Sequence, residues 1–303
     1  MTWLTPDPGE HPARRLRALL DEDRALVVPG VSDGLTALLA KRAGAEVLYL
    51  SGAALSASMG MPDVGLVTLD ELARAARQIV RVTRVPLIVD ADTGFGSPLT
   101  VMRAVRELEG ARGAAIQLED QEDPKRCGHL EGKRVTSAEA FAEKVAAAAR
   151  ARQLLVVVAR TDARATHGFE EAVRRGAMYR EAGADVVFPE ALESEEELAE
   201  YARRVPGPLL ANMTEFGRTP LVPAARLAEL GYRLIVFPVS AARVAARQVR
   251  AFYADLLREG TQTAWLDRML TRDELYDLIG YDAYADLDRT LVRGGGDPET
   301  GPS

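Results

Sequence analysis

The chain has a single cysteine, and it sits in Lys125-Arg126-Cys127-Gly128-His129. Against 34 arginines there are four lysines, and two of them, Lys125 and Lys133, flank that cysteine. Positive charge near a thiol lowers its pKa and enriches the thiolate. A free cysteine is ordinarily a small buried apolar residue, but this one lies in the polar run Glu119–Lys133, EDQEDPKRCGHLEGK. Acid/base chemistry is the reading that suits such surroundings, with His129 as a hydrogen-bond partner and Lys125 as a catalytic candidate beside it. The second constellation is Asp90-Ala91-Asp92. Residues two apart on a strand face the same side, so both carboxylates converge, with Glu119 nearby. Converging carboxylates repel unless a cation sits among them, and oxygen-only ligands select a hard ion, Mg2+ or Mn2+. The alternative is that the pair caps the turn Thr93-Gly94-Phe95-Gly96.

Positioning these groups requires elements that bring distant residues to one place. Eight short apolar runs recur: Ala25–Pro29, Val47–Ser51, Leu87–Asp92, Ala114–Asp120, Leu154–Thr161, Asp185–Glu190, Leu209–Asn212 and Arg233–Pro238. Nearly continuous apolar runs suit parallel strands buried on both faces. Amphipathic segments alternate with them, among them Gly34–Arg42, Leu69–Val82, Ala138–Ala151 and Glu170–Ala182, and several end in a glycine stop such as Ala182-Gly183. This alternation predicts an α/β fold, a (β/α)8 TIM-type barrel. A doubly wound sheet would carry a Gly-rich phosphate turn after its first strand, and Pro29-Gly30-Val31-Ser32-Asp33-Gly34 is not one. One domain is expected over residues 1–303, with a C-terminal helical extension across 241–291 and flexible tails near 1–12 and 294–303.

A barrel places its active site at the C-terminal ends of its strands. The residues there are Ser51, Asp90, Asp92, Glu119, Asp120, Arg160, Asp162, Glu190, Asn212, Thr214, Ser240 and Arg243. Any one of them reads as a cap; so many charged and amide groups at the ends of apolar strands read together as a site. Arg160 and Arg243 either clamp substrate carboxylates or pair with strand-end acids. A metal with several cationic and amide groups implies a small polyanion, a di- or tricarboxylate.

Composition narrows the class. The chain has 303 residues and a net charge of -7, which disfavours a nucleic-acid partner. No apolar stretch has the length of a membrane span, and residues 1–12 lack the pattern of a signal peptide. One cysteine excludes an intrachain disulfide, and a reducing, cytoplasmic setting is expected.

The motifs resemble those of the isocitrate lyase/phosphoenolpyruvate mutase superfamily. They are Ser51-Gly52, Gly60-Met61-Pro62-Asp63, Asp90–Gly96, Glu119-Asp120-Gln121, Lys125–His129, Ala159–Asp162, Phe188-Pro189-Glu190, Asn212–Gly217 and Gly260-Thr261-Gln262. The match runs from about Ala25 to Leu291, and its methylisocitrate-lyase branch is the most similar. The resemblance implies Mg2+ held near Asp90 and Asp92, and a homotetramer with a swapped last barrel helix. It implies retro-aldol cleavage of a tricarboxylate, 2-methylisocitrate, to pyruvate and succinate in propionate breakdown. It implies substrate contacts at Ser51, Gly52, Ala53, Cys127, Gly128, Arg160, Glu190, Asn212, Met213, Thr214, Arg243 and Arg272, and Cys127 as the acid that completes succinate. The base stays open between Glu119, a metal-bound water and Tyr49. Ala53 and Met213 depart from the family's usual Gly and Ile, which weakens the backbone contact expected at position 53.

Rival readings are isocitrate lyase, oxaloacetate decarboxylase or hydrolase, a phosphonopyruvate-type mutase, and a non-catalytic barrel. Phe188, Asn212-Met213-Thr214 and the short chain point away from isocitrate lyase. The cysteine motif points away from the decarboxylases and mutases.

Overall fold

The computed structural model describes residues 2–5, 9–126, 128 and 132–294, with backbone alone at 293 and 294. Within the unit Glu10–Arg247, eight parallel strands close into a barrel in chain order. They are β1 (Leu26–Val31), β2 (Leu48–Leu50), β3 (Leu87–Asp90), β4 (Ala115–Glu119), β5 (Val156–Thr161), β6 (Val186–Pro189), β7 (Leu209–Asn212) and β8 (Tyr232–Phe237). Each expected run is a strand, with edges within two residues of those read from the sequence. Ahead of the barrel lies α1 (Pro12–Asp21). Between the strands run α2 (Gly34–Arg42), α3 (Gly52–Ser58), α4 (Leu69–Thr83), α5 (Pro98–Gly110), α6 (Ala138–Ala151), α7 (Ala163–His167), α8 (Phe169–Glu181), α9 (Glu195–Arg204) and α10 (Ala224–Glu229), and α11 (Ser240–Glu259) follows β8. The glycines after α2, α8 and α10 take the left-handed conformation expected of helix stops, at φ 97°, 111° and 99° for Gly44, Gly183 and Gly231.

Strand alternation divides the core in two. Leu48, Leu87, Val89, Ile116, Leu118, Val157, Val187 and Ile235 face the helices. Leu26, Val28, Tyr49, Ile88, Val156, Val158, Phe188, Leu210, Leu234 and Val236 fill the barrel interior. The interior cluster also takes Ala13, Leu16, Leu19 and Leu20 from α1, so this helix closes the N-terminal end of the barrel. Arg17 fixes it there: Nε donates to the Leu154 carbonyl (3.1 Å), Nη2 to the Leu155 carbonyl (2.9 Å), and Nη1 pairs with Asp185 at 3.0 Å. With that end sealed, the polar residues of the interior gather at the other.

The second compact unit is formed by Met1–Gly9 with Gln248–Ser303. It contains the end of α11, a 3-10 helix (Thr263–Arg268), α12 (Arg272–Ile279) and α13 (Tyr281–Gly294). Trp265 is buried there, edge-on to Phe252 at 5.5 Å, with its Nε1 donating to Asp255 at 3.0 Å. No residue of α11 or α12 is buried, and Val244, Tyr253, Leu257 and Tyr276 are exposed. Of the expected tails, residues 1, 6–8 and 295–303 lie outside the described residues.

Leu16 is fully enclosed. Leu16→Ala is expected to cost about 2–5 kcal/mol by lost transfer energy plus a cavity, read as a lowered midpoint in denaturant unfolding. A change under about 0.5 kcal/mol, the range of a surface substitution, would show that α1 does not close the barrel.

Candidate active site

At the C-terminal end of the barrel, Asp90, Asp92 and Glu119 each offer a carboxylate oxygen, and these oxygens lie within 4.8 Å of one another. The convergence expected from strand spacing is therefore present. Asp90 is held by neutral donors: Gly52 N–H on Oδ2 (3.2 Å) and the Gln117 side-chain amide on Oδ1 (2.9 Å). Its Oδ1 also lies 3.4 Å from the Asp92 amide, a long contact that keeps part of the turn-capping role. The crowding has an electrostatic cost. Burial, then the charge of Asp90, pushes the Asp92 carboxyl up to about 7. Burial raises Glu119 well above the ordinary carboxylate range, by more than Arg160 and Lys125 lower it. Glu119 Oε1 is buried and has no hydrogen-bond partner among the described residues. Three clustered oxygen donors with an orphaned carboxylate oxygen fit a hard divalent cation.

Lys125 takes up part of this negative charge. Its buried ammonium pairs with Asp63 and lies 2.8 Å from Asp92. Burial opposes its charge, but Glu119, Asp92, Asp90 and Asp63 outweigh that and hold it above the ordinary lysine value.

Arg160, on β5 and in register with Glu119 on β4, is enclosed by acids. Its Nε and Nη2 donate to Asp162 at 2.9 and 3.0 Å. Its Nη1 lies 3.4 Å from Glu119 and 3.3 Å from Glu190, and its plane covers the Phe188 ring at 5.2 Å. One edge of this arginine is therefore the strand-end ion pair with Asp162, while Nη1 faces the pocket between Glu119 and Glu190. Asp162 also accepts from Lys133 Nζ at 2.9 Å, and Lys133 in turn donates to the Gly128 carbonyl.

Gly128 shows how closely the loop after β4 presses into the mouth. A β-carbon there would lie 2.3 Å from Arg160 Nη2 and 2.6 Å from Glu190 Cγ, so only glycine fits. At the loop's base Gln121 bridges to Val135. The Gln121 side chain accepts from Arg126 N–H (3.0 Å) and donates to its carbonyl (2.8 Å). Cys127 and His129 lie outside the described residues; their chain neighbours Arg126 and Gly128 line the pocket.

The remaining wall is formed by Ser51, Ala53, Glu190, Asn212, Thr214 and Arg243, with Phe188, Val236, Pro238 and Val239 as its apolar side. Asn212 donates to Glu190 at 3.1 Å and leaves its own buried Oδ1 without a partner among the described residues. Arg243 pairs with Glu215 at 2.7 Å and covers the exposed Phe216 at 5.5 Å. Met213 requires correction as a side-chain contact. Asn212 points inward, so its neighbour points outward, and Met213 is packed in the helix-facing core. Arg272 belongs to the C-terminal unit, exposed at the first position of α12.

Three residues gain a place that sequence reasoning did not assign. Asp63 pairs with Lys125. Gln117, fully buried and in register with Asp90, bridges it to Tyr49, whose hydroxyl donates to Gln117 Oε1. Burial, then Asp90, raises the Tyr49 hydroxyl well above its ordinary value. Its proton is thus committed to Gln117, which speaks against Tyr49 as a base. Phe188 forms the apolar floor under Arg160. The available signal was a lone glutamine inside the apolar strand β4, two residues before Glu119.

The phosphoenolpyruvate phosphomutase family model matches residues 16–257. A 2-methylisocitrate lyase of Aeropyrum pernix is 51% identical over 97% of this chain and 95% of its own length. The crystal structure of a 2,3-dimethylmalate lyase superposes with a TM-score of 0.89 at 38% identity, covering 98% of this chain and 99% of the other. A phosphonopyruvate hydrolase complexed with oxalate and Mg2+ matches with a TM-score of 0.84 at 30% identity, covering 92% and 99%.

A cation among Asp90, Asp92 and Glu119 requires all three ionised. Mg2+, used as the probe, is therefore expected to raise the melting temperature of metal-stripped protein. At one hundred times its Kd the gain is about 2.7 kcal/mol, and Asp90→Asn should abolish it. Because Asp92 without a cation titrates near 7, binding should release protons and weaken as pH falls through 7. A melting temperature indifferent to Mg2+ at every pH would contradict the site.

Proposed function

Because the chain belongs to the phosphoenolpyruvate phosphomutase family, we propose that it is the carbon–carbon lyase that splits 2-methylisocitrate into pyruvate and succinate. The observation that carries this reading is the acidic trio beside Lys125 and Arg160 at the barrel mouth, in a chain similar over nearly its whole length to such a lyase. Mg2+ held by Asp90 and Asp92, with Glu119 beside them, would polarise the substrate hydroxyl and the carbonyl that replaces it.

The chain's own residues account for the rest. Glu119, with its raised carboxyl and an Oε1 that has no partner among the described residues, takes the hydroxyl proton. The C–C bond then breaks, one fragment leaves as pyruvate, and the bonding pair stays on the other as a succinate carbanion, drawn as an aci-carboxylate. Arg160 Nη1, Asn212 and Arg243 bind the carboxylates and stabilise the spreading charge. Cys127 donates its thiol proton to the carbanion, with Lys125 and His129 tuning the loop that carries it. The proton held by Glu119 returns to the thiolate before the next turnover. The apolar wall of Phe188, Val236, Pro238 and Val239 receives the methyl group that distinguishes this substrate from isocitrate. We further propose that the enzyme acts in the cytoplasm, in propionate breakdown, as a homotetramer that exchanges its last barrel helix, α11. The unburied apolar residues of α11 support that exchange.

A panel of 2-methylisocitrate, isocitrate, 2,3-dimethylmalate, oxaloacetate and phosphonopyruvate, each with Mg2+, tests the assignment. The highest kcat/KM is expected for 2-methylisocitrate, about 10–200-fold above isocitrate, the value of one methyl group in a pocket. A higher kcat/KM on any other member would replace the assignment. Cys127→Ser should lower kcat by about 10²–10⁴, the usual contribution of a general acid, with melting temperature and Mg2+ binding unchanged; full activity would remove Cys127 from the mechanism.

A further inference from the structure

Glu119 and Asp120 are consecutive carboxylates on opposite faces of β4's end. Glu119 faces the pocket. Asp120 faces away, fully buried toward the helix layer, where a lone charge would be strongly disfavoured. Its surroundings satisfy it completely. Tyr179 Oη (2.8 Å) and Arg175 Nη1 (2.9 Å), both from α8, donate to Oδ2, as does Thr161 Oγ1 at 2.8 Å. On Oδ1 it accepts the backbone N–H of Asp162 at 2.8 Å. Arg175 is held in turn by Glu171 at 2.8 Å, and Tyr179 stands edge-on to Phe141 at 4.7 Å.

The Asp162 amide is the point of transmission. The same residue grips Arg160 through two N–H bonds and holds Lys133, which reaches the Gly128 carbonyl. A continuous series of hydrogen bonds therefore runs from the outer helix α8 through Asp120 to the backbone of Asp162, and from its carboxylate to the guanidinium at the pocket. The Asp120 backbone N–H donates to the Arg160 carbonyl at 3.2 Å, and its carboxylate meets the guanidinium through Asp162.

We propose that Asp120, Arg175 and Tyr179 form a positioning cluster that fixes Asp162 and, through it, aims Arg160 Nη1 at the substrate carboxylate. The inference rests on the lyase reading for the identity of that carboxylate, but the aim of Arg160 is a property of the protein alone. Misplacing a binding group by about 1 Å can cost on the order of a hundredfold in rate even from a distant mutation, a loss that mere structural support would not produce.

The test uses the full-length protein with Tyr179→Phe, Arg175→Met and Arg175→Lys. The first readout is the Nε–H NMR resonance of Arg160, assigned by its loss in Arg160→Lys. It should shift in Tyr179→Phe and Arg175→Met and stay nearer its parental position in Arg175→Lys. The second is kcat/KM on 2-methylisocitrate, expected to fall at least about tenfold in the first two variants and to be partly restored in Arg175→Lys. The third is a double-mutant cycle: in an Asp162→Asn background, Tyr179→Phe should cost nothing further, because the route is already broken. An unmoved resonance with parental kcat/KM and a merely lower melting temperature would reduce the cluster to structural support. Equal losses in both backgrounds would overturn the route through Asp162. If the parent fails to cleave 2-methylisocitrate, the lyase reading fails, and the Arg160 resonance alone still decides the inference.

Discussion

Everything at the barrel mouth depends on one buried ion pair, the two-pronged grip of Asp162 on Arg160. Removing either partner from such a pair leaves an uncompensated buried charge, which costs about 3–5 kcal/mol. Burial raises the Asp162 carboxyl, yet Arg160 and Lys133 together hold it below the ordinary range. The pair is thus charged on both sides, and its geometry dictates where the third guanidinium nitrogen points: between Glu119 and Glu190. Around it sit the acidic trio, the lysine that partly neutralises it and the glycine of the loop.

The barrel is what makes this arrangement possible. Its parallel strands bring residues from seven of the eight βα units to one end, while α1 closes the other. Because successive strand residues alternate, neighbouring residues can do different work. Glu119 serves the pocket and Asp120 the frame; Asn212 faces the pocket and Met213 the helix layer.

Much of this was legible in the sequence, for physical reasons. Apolar runs of strand length, such as Val156–Thr161, can only be buried on both faces, so the eight strands and their order follow from pattern. Asp90 and Asp92 had to converge because their spacing equals the strand period. Other features were less accessible. The helix α1 carries Ala13, Leu16 and Leu20 at helical spacing after Pro12, but it follows a stretch rich in proline and acids that reads as a tail. Gln117 is one polar residue in an apolar strand, and its meaning emerges only from its register with Asp90. The pairing of Lys125 with Asp63 joins residues 62 apart in the chain, a contact that no local pattern encodes. Met213 shares a motif with Asn212, but strand alternation turns its side chain to the helix layer, a distinction that motif resemblance does not carry.

The central claim is that the C–C bond breaks to leave a carbanion that a fixed group of the enzyme then protonates. Running the cleavage of 2-methylisocitrate in D2O and analysing both products tests it directly. The account predicts succinate carrying one deuterium in a single stereochemical position, and pyruvate carrying none from the cleavage step. Succinate labelled equally at both faces would mean that solvent protonates a released carbanion, and would contradict a positioned donor.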